Sequence, residues 1–88
     1  MENKTEYAIG RLNNDTEVFD YIRVNEYNLT IFSADSYERA SRYENFELVR
    51  DLVSLQNQIA DLLNDSYEYK IVKGDTEIVI VDENGDPV

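Results

Sequence analysis

Apolar and polar residues alternate in short runs over the first third of the chain, adopt a helical period in the middle, and return to short runs at the end. Tyr7 to Leu12 alternates weakly, Glu17 to Val24 is rich in β-branched and aromatic residues, and Asn13-Asn14-Asp15 between them is turn chemistry. That pattern predicts a β-hairpin. A third strand, Leu29-Thr30-Ile31-Phe32, follows the polar break Asn25-Glu26-Tyr27-Asn28. At Asp35-Ser36-Tyr37-Glu38 an acid suited to an N-cap is followed three residues on by Glu, which predicts a short helix from Ser36 to about Arg42. Asn45 then caps a longer helix, in which Leu48, Leu52, Leu55, Ile59 and Leu62 recur at 4-3-4-3 spacing and Val49, Val53, Ala60 and Leu63 widen the stripe. A stripe this wide predicts a face buried on a sheet or on another helix.

Past Asn64-Asp65-Ser66, Tyr67 to Lys73 and Thr76 to Val81 flank the tight Gly74-Asp75 turn, predicting a second hairpin. Ile78-Val79-Ile80-Val81 is apolar on both faces, which places it centrally in a sheet or against another chain. The expected order is βββ-α-α-ββ: an α+β domain over residues 1–88, with an antiparallel sheet of about five strands on one main amphipathic helix. Residues 83–88 read as a flexible tail.

Composition removes most chemistry from this scaffold. Neither His nor Cys occurs among the 88 residues, which takes away imidazole acid–base catalysis, thiolate nucleophiles, disulfides and the usual zinc ligands. A chain this short spends nearly all its apolar side chains on its core and has few left for a deep cleft. Paired carboxylates performing general acid–base work need such a cleft, so the expected protein is not an enzyme. Asp82-Glu83-Asn84-Gly85-Asp86 clusters oxygen ligands around a glycine, but the spacing departs from a calcium loop, and no metal or other cofactor is expected. No run is long and apolar enough for a membrane span and the first residues lack the apolar core of a secretory signal, so a cytoplasmic location is expected. On that expectation the sequons at Asn3, Asn14, Asn28 and Asn64 read as chance occurrences in a sequence rich in Asn, Asp, Ser and Thr.

Charge is the strongest remaining signal. The formal net charge is −11, spread as six acids and three bases in residues 1–33, seven and three in 34–65, and six and two in 66–88. Such a surface repels nucleic acid and anionic lipid, so neither is an expected partner; a basic protein is. Self-repulsion destabilises a small fold, which argues that the charge has a use beyond solubility. On the helix, Glu47, Asp51, Asp61 and Asp65 fall near one outer line spanning about 27 Å at 1.5 Å per residue, with Ser54 and Gln58 between them. Same-face residues on a helix or a strand recur every ~5–7 Å, on the order of the gap between backbone phosphates. Glu38, Glu44 and the hairpin acids Glu68, Asp75 and Glu77 form a second candidate patch. Tyr37 and Tyr43, beside loops, are candidate interface anchors because tyrosine is enriched at binding hot spots. Arg39, Arg42 and Arg50 stand at pairing distance from Glu38, Glu44 and Glu47 along a helix.

The run Thr30-Ile31-Phe32-Ser33-Ala34-Asp35-Ser36-Tyr37-Glu38-Arg39-Ala40-Ser41-Arg42-Tyr43-Glu44-Asn45, with a hairpin before it and a helix and a Val/Ile strand after it, resembles small acidic proteins encoded by phages and prophages of Gram-positive bacteria. Some phage proteins of this size, charge and layout are anti-CRISPR inhibitors of type II effector nucleases. The resemblance implies a DNA-mimicking inhibitor in a bacterial host cell, with a basic nucleic-acid-binding host protein such as a CRISPR effector nuclease as partner. It implies no contact residue. The alternative is a phage structural or assembly protein that forms a homodimer through the Ile78–Val81 strand.

Overall fold

The computed structural model describes residues 4–25, 27 and 31–88. Strands β1 (Glu6–Asn13), β2 (Phe19–Val24), β3 (Ile31–Ala34), β4 (Tyr67–Gly74) and β5 (Ile78–Val81) form one antiparallel sheet in the order β3-β2-β1-β4-β5, and α1 (Phe46–Leu62) packs on it. This is the expected α+β architecture. Its third strand ends at Ala34 rather than Phe32, and the expected strand residues Leu29 and Thr30 lie outside the described residues.

β1 is central because its alternation serves two cores. Ile9 joins Ile22, Ile71 and Val81 against Val49 and Val53 of α1, while Ala8 and Val72 face the opposite side with Ala40, Phe19, Tyr21 and Tyr37. The second layer is the irregular link between β3 and α1. A short helix was expected there, but only a single 3₁₀ turn, Tyr37–Arg39, forms, and no side-chain cap bond holds it. Extended pairing takes the rest of the segment. Ser41 donates its N–H to the Ile22 carbonyl and its Oγ accepts from the Val24 N–H, while Tyr43 and Tyr7 exchange both backbone bonds at 2.7 and 2.8 Å. The link thus wedges between β1 and β2, which pair only at Gly10–Leu12, and crosses from one face of the sheet to the other. A short isolated helix is marginal in water, so these strand bonds prevail over the capping signal.

Asn45 caps α1 as expected, its side chain accepting from the Leu48 N–H at 3.2 Å. Of the expected face, the widening edge Val49, Val53 and Ala60 is buried and Leu52 packs beside it, while the rest of the leucine stripe is not covered. Val49 and Val53 are 0% and 7% exposed, whereas Leu48, Leu55 and Ile59 are 43%, 51% and 40% exposed and Leu62 is 85% exposed. Beneath α1, Val49, Val53 and Ala60 are buried, and Phe46 and Leu52 pack at the margin of the same core. Burying Val49 and Val53 stabilises the fold by roughly 1.5–3 kcal/mol each. The larger leucines are rotated about 100° away along the helix surface.

α1 is also fastened to the sheet by a polar clasp. β5 pairs only with Ile71–Gly74, leaving the outer edge of β4 bare at Tyr67–Lys70. Asn57 fills the place of a strand there, accepting from the Tyr69 N–H at 2.7 Å and donating to the Tyr69 carbonyl at 3.1 Å.

β5 lies at the edge of the sheet and not at its centre. It is apolar on both faces because Val79 and Val81 meet the core under α1 while Ile80 meets the opposite core. The terminal residues expected as a flexible tail turn back through Asp82–Asp86, where the Asp82 side chain accepts from the Asn84 and Asp86 N–H groups. They end beside β5, with the Val88 N–H donating to the Ile80 carbonyl and Pro87 bridged to Val81. Proline beside an edge strand blunts it against further pairing.

Candidate acidic interaction surface

The outer arc of α1 carries Glu47, Asp51 and Asp61, all exposed, with Ser54 and Gln58 between them joined by a 3.2 Å hydrogen bond. Asp65 does not continue this line. The helix ends at Leu62, and Asn64 at φ 58° reverses the chain so that the Asp65 N–H bonds the Ala60 carbonyl at 2.8 Å and the Asn64 N–H bonds the Asp61 carbonyl at 3.2 Å. This left-handed cap shortens the acid line to Glu47–Asp61, about 21 Å. Asp51 is paired with Arg50 at 3.3 Å in the open, an interaction of little energetic weight.

The remaining acids gather at two ends of the sheet. At the end formed by the α1 C-terminus, Asp61 and Glu68 line the groove between α1 and the bare edge of β4, a cavity of about 520 Å³ that Asp82 and Glu83 also border. Asp65 adjoins it. The β1–β2 turn is tied to the same end, because the Asn14 N–H bonds the Ser66 carbonyl and Ser66 Oγ donates to Asp15 at 2.5 Å. Glu68 is compensated by Lys70. Asp15, Asp82 and Glu83 were not among the residues nominated from sequence. The Asn-Asn-Asp turn was visible there, but the eight-residue β1–β4 pairing that carries Asp15 to Ser66 was not.

The opposite end holds Glu38, Asp75 and Glu77. Glu6 pairs with Gly74 across the sheet, and Tyr37 lies flat on Gly74, where any Cβ would strike its ring. Asp75 folds over its own turn, accepting from the Glu77 and Thr76 N–H groups, and these two bonds, the Glu77 one first, hold its carboxyl below the ordinary range. Glu44 is exposed and paired with Lys4 at 3.1 Å. The second patch therefore divides: Glu68 belongs with Asp61 at the far end, and the rest stay here.

Tyr37 and Tyr43 are both half-buried and pack into the interior of the molecule. Tyr37 is half-buried between Gly74, Tyr21 and the Arg42 guanidinium, and burial followed by the Glu6 carboxylate pushes its hydroxyl pKa up. Tyr43 packs against the core beneath α1. A bidentate charged pair joins β1 to β2. Arg11 meets Asp20 through two bonds of 2.8 and 3.0 Å while stacking on Tyr67, and Ser33 Oγ donates to the same carboxylate. Burial works to raise the Asp20 pKa, but Arg11 and Ser33 outweigh it and hold the group below its ordinary value.

Among the described residues, Glu47, Asp61, Asp65, Glu38, Asp75 and Glu77 have no basic side chain within 4.0 Å, whereas Asp51, Glu44 and Glu68 do. Among those residues also, no group of three or more acids is arranged to hold a metal ion, and no helix is long and apolar enough to cross a membrane. Comparison with protein-family models, with curated proteins and with solved structures returned no match for this chain.

Proposed function

We propose that this protein is a non-enzymatic inhibitor that occupies the nucleic-acid groove of a basic host protein, with its carboxylates in the place of phosphates. The target class implied by the resemblance in size, charge and layout is a CRISPR effector nuclease. The observation that carries the reading is where the charge sits. The last turn of α1 has no base, yet Asp61 lies within it and Asp65 follows its left-handed cap. Helix C-termini carry a partial negative charge, so acids there oppose the dipole and each other. A surface arranged for solubility alone has no need of acids at the one place on the helix where they destabilise it. An acidic binding surface does.

The test is competition. The purified protein is titrated into a complex of a type II effector nuclease with fluorescently labelled target DNA, at about 50 and 300 mM salt, beside the variant Asp61→Lys/Asp65→Lys/Glu68→Lys. Displacement of DNA that weakens steeply with salt and is lost in the triple variant is the expected result. Equal displacement by the variant sinks the assignment of this end of the molecule, and no displacement at either salt sinks the target class.

A further inference from the structure

Of the apolar stripe on α1, Leu52 packs against the core, while Leu48, Leu55, Ile59 and Leu62 stand exposed, and their arrangement specifies a shape. Leu48, Leu52, Leu55, Ile59 and Leu62 repeat every 3.5 residues over two heptads, the pattern of a helix-pairing seam. α1 meets its own sheet through Val49, Val53 and Ala60, with Leu52 at the margin, so the other four seam residues are not explained by the fold. Its two flanks differ. The outer one carries Glu47, Asp51 and Asp61, and the inner one, Val49 and Gln56, turns toward the sheet. Between that inner flank and the β2–β3 wing lies an apolar cavity of about 170 Å³ lined by Ile22, Val24, Ile31, Leu52, Gln56 and Tyr69. Such a volume admits one large aliphatic or aromatic side chain, the usual form of an interface anchor.

We infer that this seam and cavity receive an amphipathic helix of the partner, with a bulky apolar side chain in the cavity and Lys or Arg along the flank facing Glu47, Asp51 and Asp61. Charge decides the occupant. A second copy of this chain would set its own Glu47, Asp51 and Asp61 beside the same residues across a seam of only two heptads, with a net charge of −11 on each side. A helix flanked by bases converts that repulsion into attraction. The inference rests on the reading of the protein as a ligand for a basic partner, and it adds an apolar contact that outlasts salt.

Three synthetic probes separate the parts: a 21-residue peptide with Leu at a and d and Lys at e and g, its twin with Glu at e and g, and an oligolysine of equal charge. Binding is followed by methyl and amide NMR shifts and by calorimetry at about 50 and 300 mM salt, for the native protein and for Leu55→Gln/Ile59→Gln, whose exposed substitutions leave the core untouched. The Lys-flanked helix is expected to bind at least ~10-fold tighter than oligolysine, to weaken less than oligolysine does at the higher salt and to shift Leu55, Ile59 and Ile31, with no binding by the Glu-flanked twin. The double variant is expected to bring its affinity down to that of oligolysine. Equal affinity for the Lys-flanked helix and oligolysine, unaffected by the double variant, overturns the seam while leaving the electrostatic reading standing. Failure of both basic probes overturns the two together. Sedimentation equilibrium showing a dimer that the double variant abolishes overturns the choice of occupant in favour of a second copy.

Discussion

Replacing both Asp61 and Asp65 by lysine is expected to stabilise the protein while weakening its contact with a basic partner. Asp61 lies in the last turn of α1 and Asp65 just beyond the left-handed cap, where the backbone carbonyls point and where no base is present. An acid in such a position destabilises by about 0.3–1 kcal/mol at low ionic strength, and a base there stabilises by a similar amount. With two sites, both exposed, the double reversal should contribute about 1–2 kcal/mol. For a domain of this size each kcal/mol moves the melting temperature by ~4–8 °C, so a rise of roughly 5–10 °C is expected in about 20 mM salt. Circular dichroism melts give the number. Repeating them near 1 M salt, where the screening length is about 3 Å, should remove most of the difference. A melting temperature that stays put or falls at low salt refutes the claim that these acids are held against the helix dipole. With it goes the argument that something other than stability placed them.

Three further outcomes follow from internal features. Glu17 adopts φ 60° as the last residue of the β1–β2 turn, so Glu17→Gly should relieve about 1 kcal/mol of left-handed strain, read as a higher urea midpoint with an unchanged slope. Asn57→Ala removes both bonds that close the bare edge of β4 at Tyr69; a loss of about 2–3 kcal/mol is expected, with faster hydrogen exchange at the Tyr69 amide before the rest of the sheet. Because the folded-state pKa of Asp20 is lowered, its stabilisation is fully present above the unfolded value near 3.9 and is lost as the pH falls through the lower folded value. Asp20→Asn should therefore cost about 2 kcal/mol at neutral pH and flatten that acid limb of the urea-midpoint profile, and an identical acid limb in the variant would assign the loss to other groups.

Local patterns along the chain were enough to determine the α+β class, both hairpins, the Asn45 cap and the position of α1. Each is set by contacts between residues close in sequence: Asn-Asn-Asp and Gly-Asp turns, one capping side chain, one helical period. The acids on the outer arc of α1 were legible for the same reason, since a helix places Glu47, Asp51 and Asp61 on one line wherever it packs. Only the tertiary structure decided which face of α1 is buried. Both the leucine stripe and the valine stripe satisfy the helical period, and the seating of α1 on β4, clasped by Asn57, buries the valine edge. Tertiary pairing likewise turned the Ser36–Arg42 helix into a wedge between β1 and β2. It sent β5 to the edge under Pro87, took Asp65 out of the acid line, and carried Asp15 to the end of α1. These outcomes depend on pairings between residues far apart in the chain, which periodicity cannot encode, because a helix or strand repeats its pattern without specifying what it will be laid against.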